Sequence, residues 1–174
     1  TDILKQDERT NHIPIILLTA KSDIDSKISG LEKGADAYLA KPFEERELFV
    51  RIDKLLELRK KLQERYANLD PSANAPKIEN PFLLKLIAYI EEHLSEAELN
   101  MERISKDLGM SRTQVFRKLK ALTGQSPTLF IRSYRLKKGK ELLATTDLTI
   151  SEIAYEVGFT SLNYFSSAFA KEFG

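Results

Sequence analysis

The chain contains no cysteine, and this one absence removes disulfides, thiolate zinc sites and cysteine nucleophiles together. Histidine is nearly as scarce. His12 and His93 lie far apart in sequence and in no triad or metal-ligand spacing, so neither a catalytic centre nor a metal site is indicated. His12 reads as a residue leading into a strand, and His93 as a helix-end residue complementing the helix dipole. Seven glycines and six prolines in 174 residues exclude collagen-like and low-complexity classes. No apolar run approaches the roughly 20 residues that cross a bilayer, and Thr1-Asp2-Ile3-Leu4-Lys5 lacks the pattern of a signal peptide. No membrane contact is expected, and a reducing cytoplasm suits the composition. With 42% hydrophobic and 30% charged residues, the chain has room for one ordinary domain or two small ones.

The net charge of +1 hides a lopsided distribution. Residues 77–102 carry two cations against six carboxylates, and residues 141–174 one against five. Between them, residues 103–140 hold eleven Lys and Arg against the single Asp107. A cationic block of this density is the electrostatic footprint of a nucleic-acid surface, a solvated helix face being the plainer alternative.

Residues 67–81, with three prolines among small polar residues, read as a linker. Before it, Ile13-Pro14-Ile15-Ile16-Leu17-Leu18 and Asp36-Ala37-Tyr38-Leu39-Ala40 have the length and continuous apolarity of buried parallel strands. Asp23 to Lys33 places Ile24, Ile28 and Leu31 at helical spacing, with Gly34 as its C-terminal stop. Glu44 to Tyr66 is a long helix whose Leu48, Ile52, Leu55, Leu62 and Tyr66 form a seam interrupted by Arg59. That seam serves either self-association or packing on its own sheet.

Three stretches, His12 to Ala20, Gly30 to Leu39 and Lys41-Pro42-Phe43, resemble the receiver domains of two-component response regulators over residues 1 to about 65. The resemblance implies that Thr19 is the hydroxyl following the phosphoryl group, Tyr38 the switch aromatic and Lys41 the lysine pairing with phosphoryl oxygens, with Lys41-Pro42 cis. It also implies that the acidic pair and the phospho-accepting Asp are absent, because Asp2, Asp7, Asp23 and Asp25 stand in other positions. Mg²⁺ and a phosphoryl group are therefore expected only in a complete receiver, and this chain is expected to be a piece of a larger protein. The half-receiver leaves a strand edge open, which predicts strand exchange between copies.

After the linker, Phe82 to Leu94 is amphipathic, with Leu83, Leu86, Ile87 and Ile90 on one face. Met101 to Leu108, a break at Gly109-Met110, and Ser111 to Leu122 form a helix-turn-helix pattern with Ser111 as N-cap. Residues 150–159 repeat 101–110 at an offset of 49, and the next helix repeats at an offset of 50, setting Phe165, Phe169 and Gly174 on Val115, Leu119 and Gly124. The fold class expected is mostly α: a truncated α/β receiver of two parallel strands with helices at 1–66, a linker at 67–81, and an all-α domain at 82–174. In that domain one motif spans about 101–122 and a second about 150–174.

The stretches Gly124-Gln125-Ser126-Pro127, Phe130-Ile131-Arg132, Arg135-Leu136, Ile153-Ala154, Val157-Gly158-Phe159 and Tyr164-Phe165 with Phe169 resemble the DNA-binding domain of AraC/XylS-family transcription regulators. Joined to a receiver end, they resemble the C-terminal part of hybrid two-component sensors. The resemblance implies a cytoplasmic, sequence-specific transcription regulator at the output of a phosphorelay, with duplex DNA as partner, a homodimer through the half-receiver and long helix, and RNA polymerase as a further partner. In such hybrids a membrane-anchored parent carries the kinase; no enzyme activity is expected here.

Helical spacing names the contacts. Val115, Leu119 and Leu122 face the core, while Thr113, Phe116, Arg117 and Lys120 share another face suited to the major groove. There Arg117 is placed to take a guanine and Phe116 or Thr113 a thymine methyl, with packing under the connecting helix equally open for Phe116. Arg112 and Gln114 flank this face. In the second motif the equivalent face is Asn163, Ser166, Ser167 and Ala170; it holds no cation, so weaker or water-mediated contacts are expected. Pro127 to Ala144, about 27 Å of helix, carries the phosphate candidates Arg132, Arg135, Lys137, Lys138 and Lys140, with Lys118 on the first recognition helix. Gly139 interrupts it without apparent purpose. The competing reading is an oligomerisation or protein-interaction module, which would associate without binding DNA.

Overall fold

The computed structural model describes residues 1–20, 24–67, 78–99 and 101–174, which form two compact units, Thr1–Glu64 and Arg65–Gly174. Most of the stretch expected as a linker, and the start of the first expected helix, lie outside the described residues.

In the first unit α1 (Asp2–Gln6) precedes β1 (Ile16–Thr19), α2 (Ile24–Glu32) and β2 (Ala37–Ala40). The strands are parallel, Ile16 opposite Ala37 through Thr19 opposite Ala40. Asp36 fastens the start of β2: its carboxylate accepts the Ile15 N–H at 2.7 Å and pairs with Lys5 at 2.6 Å. Gly34 ends α2 as expected, with φ +84°. The two strands are not both buried. Ala37, Tyr38 and Leu39 are, but Leu18 is 45% exposed. The pleat turns Leu17 toward Gly30 and the Tyr38 ring, which sends Leu18 to the opposite side. Lys41-Pro42 is cis.

The long helix α3 (Glu45–Ala67) starts in the first unit and ends in the second. Its expected seam is half-buried at Leu48, Ile52 and Leu55, whereas Phe49, Val50, Leu56, Leu58 and Leu62 are exposed.

The second unit contains α4 (Pro81–Glu92), α5 (Met101–Asp107), α6 (Arg112–Thr123), α7 (Pro127–Thr145), α8 (Ile150–Glu156) and α9 (Leu162–Phe173). It has two apolar cores sharing one spine. The first gathers Tyr66, α4 and the α5–α6 pair with Phe130 and Tyr134 of α7. The second gathers Leu136 of the same helix with Ile153, Ala154, Val157, Phe159 and Phe165. Burial of each such side chain contributes on the order of 1.5–3 kcal/mol. His93 caps the end of α4, buried and stacked on Tyr89 at 4.2 Å.

The duplication is structural as well as sequential. α5 and α8 have equal lengths at an offset of 49, α6 and α9 at an offset of 50. Both α5 and α8 end in a turn in which a left-handed glycine donates to a carbonyl three residues back and the next residue to one five back: Gly109 to Lys106 with Met110 to Ser105, and Gly158 to Tyr155 with Phe159 to Ala154. This pair of bonds closes off the last turn of each helix and turns the chain toward the recognition helix.

Candidate nucleic-acid interface

The first recognition helix, α6, is held at its start by a reciprocal cap: Ser111 Oγ accepts the Gln114 N–H at 3.3 Å, and Gln114 Oε1 accepts the Ser111 N–H at 2.8 Å. The Gln114 side-chain carbonyl is thus engaged in the cap, and the residue stays half-buried beside the exposed face. Val115 and Leu119 are fully buried and Leu122 nearly so, which fixes the rotation of the helix. Thr113, Phe116, Arg117 and Lys120 consequently stand together in solvent. Phe116 is 42% exposed, and Lys120 Nζ lies 5.8 Å from its ring centroid. Arg112 is exposed and pairs with Glu102 at 2.6 Å.

In the second motif α9 is capped by Ser161 alone, whose hydroxyl accepts the Tyr164 N–H. Asn163, Ser166, Ser167 and Ala170 are exposed, Phe165 is buried and Phe169 half-buried. The Ser167 hydroxyl donates to the Tyr164 carbonyl at 3.0 Å. Gly139 acquires a purpose here: a Cβ on it would lie 3.1 Å from the Phe165 ring, so its bareness lets α9 seat against α7.

Two of the expected phosphate contacts are corrected. Lys118 is 2% exposed, its Nζ 5.0 Å from the Phe82 ring centroid. It follows Val115 by three residues and precedes Leu122 by four, so helical spacing puts it on the core face despite its charge. Arg135 is 7% exposed and acts as a peg between segments. Its guanidinium donates to the carbonyls of Glu96 and Ala97 ahead of α5, and of Gly158 in the second turn, the latter two at 3.3 and 3.2 Å. Burial lowers its pKa, with Glu96 opposing. Among the other cations of α7, Lys138 pairs with Glu141 at 2.8 Å, Lys140 lies 4.6 Å from the Phe173 ring centroid, Lys137 is half-buried and Arg132 lines a cleft.

One support escaped the sequence. Tyr66, at the end of α3, is buried in the first core, and the Ala67 carbonyl accepts from Gln125 Nε2 at 3.3 Å, two residues after α6 ends. The residues resembling a receiver switch are placed as follows: Thr19 ends β1, Lys41 donates its N–H to the Thr19 carbonyl at 2.6 Å, and Tyr38 is buried in β2. Among the described residues no group of three or more His, Asp or Glu could hold a metal ion, and no helix is long and apolar enough to cross a membrane.

Two helix-turn-helix motifs on one shared helix, one presenting a cationic face, define a DNA-binding module. Residues 104–174 match the family described as "Helix-turn-helix domain" and residues 1–53 the "Response regulator receiver domain" family. A solved AraC-type transcriptional regulator from Chromobacterium violaceum is 30% identical, over 53% of this chain and 82% of that one, with a TM-score of 0.50. "Histidine kinase P4" of Formosa agariphila is 40% identical over 174 residues, which are 98% of this chain and 13% of the relative. The "HTH-type transcriptional activator RhaS" of Escherichia coli is 34% identical over 127 residues, 72% of this chain and 41% of the relative. The chain belongs to the AraC-type helix-turn-helix family of DNA-binding regulators and carries the end of a two-component receiver domain ahead of that module. It spans less than half the length of either curated relative.

Proposed function

We propose that the chain binds double-stranded DNA sequence-specifically as the output end of a two-component regulator, with unequal work from its motifs. The observation that carries this is the exposed face Thr113, Phe116, Arg117 and Lys120 on a helix whose rotation is fixed by buried Val115 and Leu119. Arg117 takes a guanine in the major groove, Phe116 and Thr113 meet a thymine methyl, and Arg112 and Lys120 reach phosphates. α9 sits in the next groove, where Asn163, Ser166 and Ser167 make neutral contacts. α7, 19 residues and about 28 Å long, suits motifs reading successive turns roughly 34 Å apart. The chain contributes binding and no chemistry; RNA polymerase is the partner a transcription activator would engage.

The test is selection from a random duplex pool at two salt concentrations, with wild type and Arg117→Ala. Enrichment of a motif that the variant relaxes at one base pair is the expected result. Bulk, salt-sensitive affinity without enrichment would refute specific readout.

A second reading concerns assembly. Exposed Phe49, Leu56, Leu58 and Leu62 on α3, with Leu18 on β1, favour a homodimer through the receiver end and long helix, whether by helix packing or strand exchange. Sedimentation equilibrium checks it, and a monomer at high micromolar concentration would remove it. Thr19 and Lys41 supply the hydroxyl and ammonium that would face a phosphoryl group in a complete receiver, where Mg²⁺ would also be held.

A further inference from the structure

Between the two motifs lies a cleft of about 440 Å³ whose occupant the DNA-reading face does not explain. Four segments build it, one of them α9 through Tyr164. Residues at and just before the start of α5 contribute Leu99 and Met101, the turn after α8 contributes Phe159 and Thr160, and α7 contributes Ile131 and Arg132. The inner wall is fixed by Arg135, whose bonds to the Ala97 and Gly158 carbonyls tie the first motif's side of the cleft to the second's.

The lining is mainly apolar with a few convergent polar groups, and the volume falls within the roughly 300–1,000 Å³ of small-molecule sites. Its charges are unequal in availability. The Arg135 terminal nitrogens donate to carbonyl oxygens, while its Nε is buried without a partner among the described residues. Arg132 is half-buried in the cleft and, among the described residues, makes no ion pair or hydrogen bond through its guanidinium. A half-buried guanidinium over an apolar floor lacks part of the hydration it would have in open solvent and gains from an anion delivered with its own apolar body. The Thr128, Thr160 and Tyr164 hydroxyls add donors around the same space. Glu98 also lines it, and its carboxylate opposes a second negative charge on the occupant.

We infer that this cleft is a binding site for a small amphipathic monoanion, an organic carboxylate with a short aliphatic or aromatic tail. The carboxylate pairs bidentately with Arg132 and the tail lies on Leu99, Met101, Ile131 and Phe159. Because the walls come from both motifs, occupancy changes the free energy of any rearrangement between them, so the acid and duplex DNA alter each other's affinity by the same factor.

The test titrates the full 174-residue chain with butyrate, octanoate and 4-phenylbutyrate by calorimetry, with 4-phenylbutanol and inorganic phosphate as controls. One-site binding of at least one acid is expected, tenfold or more tighter than the alcohol, absent for phosphate, and weakened at least tenfold in Arg132→Gln. Met101→Trp, which fills the apolar end, should abolish it while circular dichroism reports an intact helical fold. Equal affinity for acid and alcohol, wild-type binding by Arg132→Gln, or no saturable binding of any acid would each overturn the assignment. So would tight phosphate binding together with a salt dependence of DNA binding that drops by about one phosphate in Arg132→Gln; that pairing would place Arg132 on the DNA backbone. None of these acid-binding outcomes depends on whether the recognition helices read sequence.

Discussion

The two helix-turn-helix motifs are copies of one design put to different uses. Their helices match in length and their turns close with the same pair of hydrogen bonds. They differ in what surrounds those parts. The first turn is open: a Cβ on Gly109 would meet nothing within 4 Å. The second is closed: a Cβ on Gly158 would overlap the Leu94 carbonyl and come within 2.7 Å of the Arg135 guanidinium. The first recognition helix has a two-way cap and exposed cations; the second has a single cap and an uncharged face. The two copies share a frame; the first presents an exposed cationic face, and the second has the turn that is more tightly packed by its surroundings.

The largest effect expected from breaking this comparison comes at the turns. Gly158→Ala should destabilise the second unit by more than about 3 kcal/mol, from left-handed strain of roughly 1–2 kcal/mol plus displacement of Arg135. Gly109→Ala should cost only that strain, and thermal unfolding of the pair measures the difference. Equal losses would mean that the neighbours of Gly158 do not matter.

Next comes readout. Arg117→Ala should lower affinity for the selected duplex by about 1–3 kcal/mol, roughly 5- to 150-fold, and relax one base pair. Ser167→Arg places a cation on the uncharged Asn163, Ser166 and Ser167 face of the second helix and should steepen the salt dependence by about one phosphate. A variant that binds with an unchanged slope would show that α9 stands clear of the duplex.

The smallest effect is in pH. In the second motif Thr149 and Glu152 form the cap of α8, and hydrogen bonds from the Thr149 hydroxyl and N–H hold the Glu152 pKa below its ordinary value. A lowered folded pKa means that the cap's contribution is present above the ordinary carboxylate value of about 4.3 and is lost as pH falls through the folded one. The first motif's cap uses Gln114, which does not titrate. Carbon chemical shifts of Glu152 should therefore titrate lower in wild type than in Thr149→Ala, with no counterpart in the first motif.

Much of this was legible before any coordinates. The repeat offsets, the turn glycines, the Ser111 cap and the Val115, Leu119 and Leu122 core all follow from local rules of spacing and capping. What local rules could not separate was which cations are free. Lys118 shares the core stripe of α6, and α7 is wrapped by two cores, with Phe130 and Tyr134 in one and Leu136 in the other, so Arg135 has no solvent side to occupy. For Lys118, charge argues for solvent and helical spacing for the core, and the spacing prevails. For Arg135 the deciding partners, Glu96, Ala97 and Gly158, lie 39, 38 and 23 residues away. Leu18 misled for the opposite reason: continuous apolarity says that a strand is buried without saying on which faces.

Tyr66 carries a practical lesson about where a domain begins. Similarity to the helix-turn-helix family starts at residue 104, and the prolines between 71 and 81 invite a cut there. A fragment cut at Pro81 would lack the Tyr66 ring in its first core and leave Gln125 Nε2 without its carbonyl acceptor, just beyond the recognition helix. The second compact unit thus begins at Arg65, in the last turn of α3, and a fragment meant to hold the recognition helix in place has to start there rather than at the prolines.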